Sequence, residues 1–335
     1  MREFLETAAA IHDGLIPSVA LRQLGISSHS VEALVERREL VRVRRGVYVG
    51  AEHWAAAKYD DRYRLFVQAT HFLGQRPVIV SHESAAVLHG LPIIGSWPKT
   101  LHVIDHAATG GSHARLTTRH RAVPAADPVQ FGAILATSLA RTLVDVAVQA
   151  TFLVAVVMID HALRTEKARG EAARESGILA PPALTKADLY AELSPTLSRA
   201  RREKAVRAIE FANELAANPG ETLGRVRIHE LGFEVPELQI WFRNVGGQSG
   251  QDYQVDYYWR RIRKIGEFDG KLKYTRGVEL DGRNPEEVMV AEKRREDALR
   301  QEPGCDSFIR WDWDTALSPR RFHAFLVKTG VPRAP

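Results

Sequence analysis

Residues 265–274 read IGEFDGKLKY. Glu267, Asp269 and Lys271 alternate with Phe268, Gly270 and Leu272, so an extended chain sets two carboxylates and an ammonium on one face. Upstream, Asp256 interrupts the aromatic stretch YQVDYYW at 253–259. A hairpin between the two stretches brings Asp256 beside Asp269. Two carboxylates that close repel each other, and a divalent cation relieves the repulsion; hard oxygen ligands suit Mg²⁺, with Mn²⁺ as a substitute. Such an ion orients a water, lowers its pKa and neutralises charge on phosphoryl oxygens, which is the chemistry of phosphodiester hydrolysis. Lys271 then stabilises a pentavalent transition state or positions the water. Glu221, at the start of a helix ahead of these strands, offers an outer carboxylate. The competing explanation is a solvated strand face, but carboxylates set among Val, Tyr, Trp and Phe are costly unless paired.

A second set of residues is basic. SHSVEALVERREL, 28–40, presents His29, Arg37 and Arg38, and LVRVRRGVYV, 40–49, carries Arg42, Arg44 and Arg45 around a turn at Arg45-Gly46. A helix held against a duplex needs one apolar and one basic face, and a basic hairpin beside it touches phosphates. A hairpin that simply faces water is the alternative. The chain has 46 Lys and Arg against 41 Asp and Glu, a formal charge of +5. That is a modest bias toward an anionic partner.

The elements that must position these residues follow from periodicity. Over 1–50, helices at 2–12, 16–25 and 28–40 precede a hairpin, with Val31, Leu34 and Val35 inward: the order of a winged helix-turn-helix. Residues 51–163 form an α+β middle region. It has a helix at RYRLFVQATHFL, a strand and Ser-started helix in PVIVSHESAAVLHGLP, a strand at TLHVIDH, and helices through ILATSLARTLVDVAVQA and TFLVAVVMIDHALR. Its histidines, His82, His89, His102, His106 and His120, match no metal-binding spacing and read as structural or surface residues. Residues 164–200, small, polar and Pro-containing, read as a linker with short helices. Residues 201–325 give helix, three strands, helix, strand. Cys305 is the one cysteine, which excludes an internal disulfide and argues against a Cys-based zinc site. The run TFLVAVVMI is too short to span a bilayer, and MREFLETAAA has no long apolar segment, so the expected location is the cytoplasm, with no membrane partner.

Residues 221–317 resemble the DUF559 and very-short-patch-repair branch of the PD-(D/E)xK nucleases. ETLGRVRIHELGF with PELQI is similar to the opening helix and first strand, YQVDYYW to the Asp-bearing strand, GEFDGK to the acidic strand, AEKRREDALR to the basic helix and FIRWDWDTAL to the closing strand. The resemblance implies a restriction-endonuclease-like α/β domain with a mixed sheet. Asp256 is then the first metal ligand, Glu267 or Asp269 the second acid, Lys271 the lysine, and Glu221 the helix acid of some branches. The sequence departs from the pattern in the extended polar segment TRGVELDGRNPEEV and in having Tyr274 near where related proteins carry a histidine. The front of the chain, about residues 5–163, resembles AbiEi-family antitoxins through VRRGVYV, SHESAAVLHGLP and TSLARTLVDVA. That resemblance implies promoter DNA as partner and a nucleotidyltransferase toxin as antagonist. Taken together, a multidomain α/β DNA-binding protein with a Mg²⁺-dependent endonuclease domain is expected, and one active site per chain makes a homodimer useful for a double-strand cut. The alternatives are an antitoxin or transcriptional regulator with an inactive nuclease fold, and an interaction protein using the basic stretches RRIRK and AEKRRED.

Overall fold

The computed structural model of the chain describes residues 2–74, 77–105, 112–114, 116–121, 127–246, 250–270 and 285–335. Lys271, Tyr274, His106 and most of TRGVELDGRNPEEV lie outside them. The protein is a multidomain α/β chain with mixed sheets and many helices. It divides into two compact units, Met1–Ala150 with Lys186–Arg207, and Thr151–Thr185 with Ala208–Pro335.

The first unit begins with α1 (Arg2–Ile11), β1 (Ile16–Pro17), α2 (Ser18–Gln23) and α3 (Ser28–Glu36), followed by the hairpin β2 (Leu40–Arg44) and β3 (Val47–Gly50). The three strands pair in the order β1-β3-β2. Ile16, Leu21, Val31, Leu34, Leu40 and Tyr48 meet in one core, each large aliphatic side chain contributing about 1.5–3 kcal/mol by leaving water. The expected second helix starts two residues late because Ile16 and Pro17 pair with Tyr48 and Val47. The expected third helix stops at Glu36. Arg38 takes a left-handed backbone (φ 59°), and its N–H and that of Glu39 bond back to Val35 and Leu34, closing the helix end.

The unit continues through α4 (Ala51–Ala56), α5 (Tyr59–Phe72), β4 (Ile79–Val80), α6 (His82–Leu88), β5 (Leu101–Asp105), β6 (Ser112–Ala114), β7 (Thr117–Arg121), β8 (Val129–Phe131), β9 (Ile134–Ala136) and α7 (Leu139–Gln149). Their six strands form a mixed sheet in the order β6-β7-β5-β4-β9-β8. In it β5 and β7 run parallel, with His102 opposite Thr118 and Ile104 opposite His120.

The second unit opens with α8 (Phe152–Glu175), whose first half buries Leu153, Ala155 to Asp160, Ala162 and Leu163. The expected linker from 164 is helical to Glu175, because RTEKARGEAARE is made almost wholly of good helix formers. α9 (Lys186–Ala191) and α10 (Arg199–Phe211) as far as Arg207 belong to the first unit. The second unit resumes at Ala208 and continues with α11 (Pro219–Glu230), β10 (Glu237–Val245), β11 (Gln251–Trp259), β12 (Lys264–Asp269), α12 (Pro285–Arg300), β13 (Ser307–Asp312), α13 (Trp313–Leu317) and α14 (Pro319–Lys328). The sheet order is β10-β11-β12-β13, antiparallel except for the parallel pair β12 and β13. Helix, three strands, helix, strand is the expected order. No helix among the described residues is long and apolar enough to cross a membrane.

Candidate functional sites

The acidic residues gather where α11 meets the sheet of the second unit. Asn218 caps α11, its side chain accepting from the N–H groups of Gly220 and Glu221. Pro219 sits in the first turn, where its missing N–H costs nothing. This cap fixes Glu221, which is 3% exposed. Its carboxylate accepts from Ala217 N (2.7 Å), Asn218 Nδ2 (2.6 Å) and Gln239 Nε2 (2.9 Å). Burial, then the charge of Asp256, push the Glu221 carboxyl up to about 7. Glu221 and Asp256 therefore share one electrostatic environment.

Asp256 sits at an irregularity. Residues i and i+2 of a strand share a face, yet Val255 packs in the cluster with Leu299 and Phe308, while Tyr257 donates to the Glu221 carbonyl on the α11 side. The β10–β11 ladder pairs Leu238 with Tyr257 and Ile240 with Val255 but not Gln239 with Asp256, and Gln239 has φ 53°. The break turns the Gln239 amide to Glu221. Asp256 Oδ2 accepts from Phe268 N (2.9 Å), the backbone group between Glu267 and Asp269. The sheet thus draws Glu221, Asp256 and the Glu267–Asp269 segment together.

Glu267 is occupied. Arg295 of α12 donates to both its oxygens (3.0 and 2.7 Å), and Arg310 of β13 adds a third contact at 3.4 Å. Asp269 lies in register with Asp312 of β13, whose side chain caps α13. Glu221, Asp256 and Asp269 offer hard oxygens, the donor type a small divalent cation takes, but among the described residues no three carboxylates bring ligand atoms within 4.8 Å of one another.

A second cluster lies in the first unit, where the sequence placed only structural histidines. Among the described residues, one group of three or more metal-ligating side chains has its ligand atoms within 4.8 Å of one another: His82, His102 and His120. It can hold a metal ion. His82 begins α6 with a left-handed backbone (φ 53°), a conformation that costs a non-glycine residue free energy. His102 and His120 come from the parallel strands β5 and β7 and share a sheet face. The rings of His82 and His120 stack with centroids 3.6 Å apart, and His120 Nε2 lies 3.2 Å from His102 Nδ1. Burial, reinforced by the charges of His120, His102 and Arg141, holds His82 well below the ordinary histidine value. The neutral ring is the form that ligates metals. Parity in TLHVIDH and TTRHR could have signalled the His102–His120 neighbourhood; the strand pairing that completes it is long-range.

The basic residues of the front segment separate into two kinds. His29, Arg38, Arg42 and Arg45 are exposed. Arg37, also exposed, pairs with Glu39 at 2.8 Å. Arg44 differs: it donates to Thr70 Oγ1 of α5 at 2.6 Å and lies 5.8 Å from the Phe66 ring centroid. The reason is a bulge between Arg42 and Arg44, which turns Arg44 toward α5 on the side where Val43 also packs. Searches against protein-family models and against curated proteins find no match to this chain.

Proposed function

We propose that the protein is a DNA-binding, divalent-metal-dependent phosphodiesterase, with a winged helix-turn-helix at its front and a restriction-endonuclease-like second unit. One observation carries this reading: the buried Glu221 carboxyl feels the charge of half-buried Asp256 where the β10–β11 ladder omits the Gln239–Asp256 pair of a helix–three strands–helix–strand unit. Asp256, Asp269 and Glu221 would hold Mg²⁺ or Mn²⁺, which when bound orients and acidifies a water and offsets charge on the phosphate. Glu267 acts as the anchor for Arg295, which also feels the charge of Asp256 and so sets a cation beside the acids. Lys271 supplies the transition-state charge in this reading. Exposed Arg42, Arg45, Arg38 and His29 bind the DNA backbone.

Purified protein incubated with supercoiled, linear and branched DNA in Mg²⁺, Mn²⁺ or chelator tests this. Metal-dependent nicking or cutting is expected, reduced more than about a hundredfold in Asp256→Asn and Asp269→Asn, since a lost metal site removes several kcal/mol of transition-state stabilisation. DNA binding with no cutting under any metal sinks it.

A specific observation favours a second reading. Two arginines neutralise Glu267, and the described carboxylates form no three-membered ligand cluster. A regulator or AbiEi-like antitoxin that keeps the nuclease fold without cutting would show this. Binding to its own promoter, beside a nucleotidyltransferase gene, with no cleavage in Mg²⁺ or Mn²⁺, selects it.

A further inference from the structure

The three histidines of the first unit stand apart from the acidic site and have their own supporting groups. His102 Nδ1 lies 3.3 Å from Glu83 Oε2, and His82 Nδ1 lies 4.0 Å from Asp145 Oδ2. Ser81 Oγ, 3.0 Å from His82 Nδ1, is the nearer partner of that ring, and His102 Nδ1 also faces His120 Nε2 at 3.2 Å; polar groups set around imidazoles in this way orient metal-ligating histidines. Both carboxylate oxygens are buried and lack a hydrogen-bond partner among the described residues. Leaving buried carboxylate oxygens unsatisfied is costly. A cation among the imidazoles offsets that cost by placing positive charge close to both acids. Arg141 Nε donates to the other oxygen of Asp145, Oδ1, at 2.9 Å.

The cluster opens on a cleft of about 1230 Å³, bordered by His82, His120, Arg121, Arg141, Arg201 and Lys204. Asp145 and Glu192 are the acids on its wall. With Arg119, five cations line the cleft; Arg119 and Arg141 pair with Asp105 and Asp145, and Arg121, Arg201 and Lys204 beside two imidazoles favour an oxyanion, the guanidinium groups matching the geometry of phosphate oxygens. Three nitrogen ligands with room for one more suit an open-site zinc-class ion rather than Mg²⁺, which prefers oxygen.

We propose that His82, His102 and His120 bind a first-row divalent transition ion of the Zn²⁺ class, and that the basic cleft beside it takes a phosphate-bearing ligand. The strained backbone of His82 is then the cost of aiming its ring into the cluster. This site is independent of the acidic centre of the second unit.

The test uses the full chain, free of any affinity tag, stripped with chelator and dialysed against Zn²⁺ or Co²⁺. About one ion per chain is expected, with the visible bands of nitrogen-ligated Co²⁺. His120→Gln lowers affinity by more than about tenfold, and Glu83→Gln, which touches no ion, by about ten- to a hundredfold. Asp256→Asn leaves zinc affinity unchanged. His120 is only half-buried, so an unchanged metal-free thermal midpoint separates lost binding from lost folding; should that variant unfold, Glu83→Gln and the Co²⁺ spectrum decide. A wild-type chain that retains no ion, or His120→Gln and Glu83→Gln chains that bind like wild type, overturns the metal site. Inorganic phosphate is expected to shift the Co²⁺ bands, with weaker affinity in Arg121→Ala/Arg201→Ala. Bands unmoved by saturating phosphate overturn the ligand half. Competition by a nucleoside monophosphate assigns a small-molecule source, and competition by an oligonucleotide alone assigns a polymer.

Discussion

Glu221 reports the state of the acidic centre through its proton. Its folded value, about 7, lies above the ordinary 4.5, so the native state holds this proton more tightly than the unfolded chain. The sign follows from linkage: burial is free of penalty below about pH 4.5, the penalty grows as pH rises toward 7, and it is constant above. In chelator, Glu221→Gln is therefore expected to gain stability relative to wild type across that window, by at most about 3 kcal/mol, less whatever is lost when an amide replaces an acceptor of three hydrogen bonds. Urea unfolding of both proteins at several pH values measures the difference; a gap that does not vary between pH 4.5 and 7 contradicts it. The acids were legible in the sequence because they interrupt apolar strands at period two. Their partners were not. Arg295 and Arg310 reach Glu267 from α12 and β13, 28 and 43 residues away, and nothing local specifies that pairing. The histidine cluster was hidden for the same reason, since its members come from α6, β5 and β7.

At the scale of elements, α11 approaches the sheet through Gly220 and Gly224, one helical turn apart on one face. A Cβ on Gly220 would fall 2.1 Å from the Phe268 ring, and one on Gly224 would fall 2.7 Å from Tyr257 Oη and 3.0 Å from Trp311 Nε1. Alanine normally stabilises a helix by about 1 kcal/mol over glycine. Here overpacking outweighs it, and Gly220→Ala is expected to destabilise the second unit by about 1–3 kcal/mol. Phe268 also gives its backbone N–H to Asp256, so moving its ring disturbs the acidic centre, and metal-dependent cutting should fall along with the thermal midpoint. A midpoint at or above wild type would show that the ring yields freely. Element order was readable in the front segment and from residue 219 onward, where periodicity agrees with the fold; in the six-stranded sheet only β4 and β5 were read, and Ile134–Ala136, read as helical, is β9. The ladder break at Gln239 and the bulge before Arg44 were not readable, because each is imposed by the partner strand rather than by local propensity.

For the molecule as a whole, the proposed functions fall in different units: phosphate contact and the histidine site in the first, hydrolysis in the second. The net charge of +5 is small for 335 residues, so DNA affinity must come from clustered cations rather than from an overall field. Each phosphate neutralised on duplex DNA contributes about −0.9 to the slope of log affinity against log salt. Arg42→Ala/Arg45→Ala is expected to make that slope shallower by about 2 and to weaken binding at every sequence alike. Arg44→Ala acts differently, because its guanidinium is committed to Thr70 and Phe66; it should lower the thermal midpoint more than it changes the slope. Asp256→Asn should keep the wild-type slope while losing cleavage, since removing a ligand for the reaction leaves the phosphate contacts in place. Fluorescence anisotropy at four or five salt concentrations measures all three variants. If the Arg42/Arg45 variant keeps the wild-type slope, the hairpin is a solvated surface and the phosphate contacts lie elsewhere on the chain.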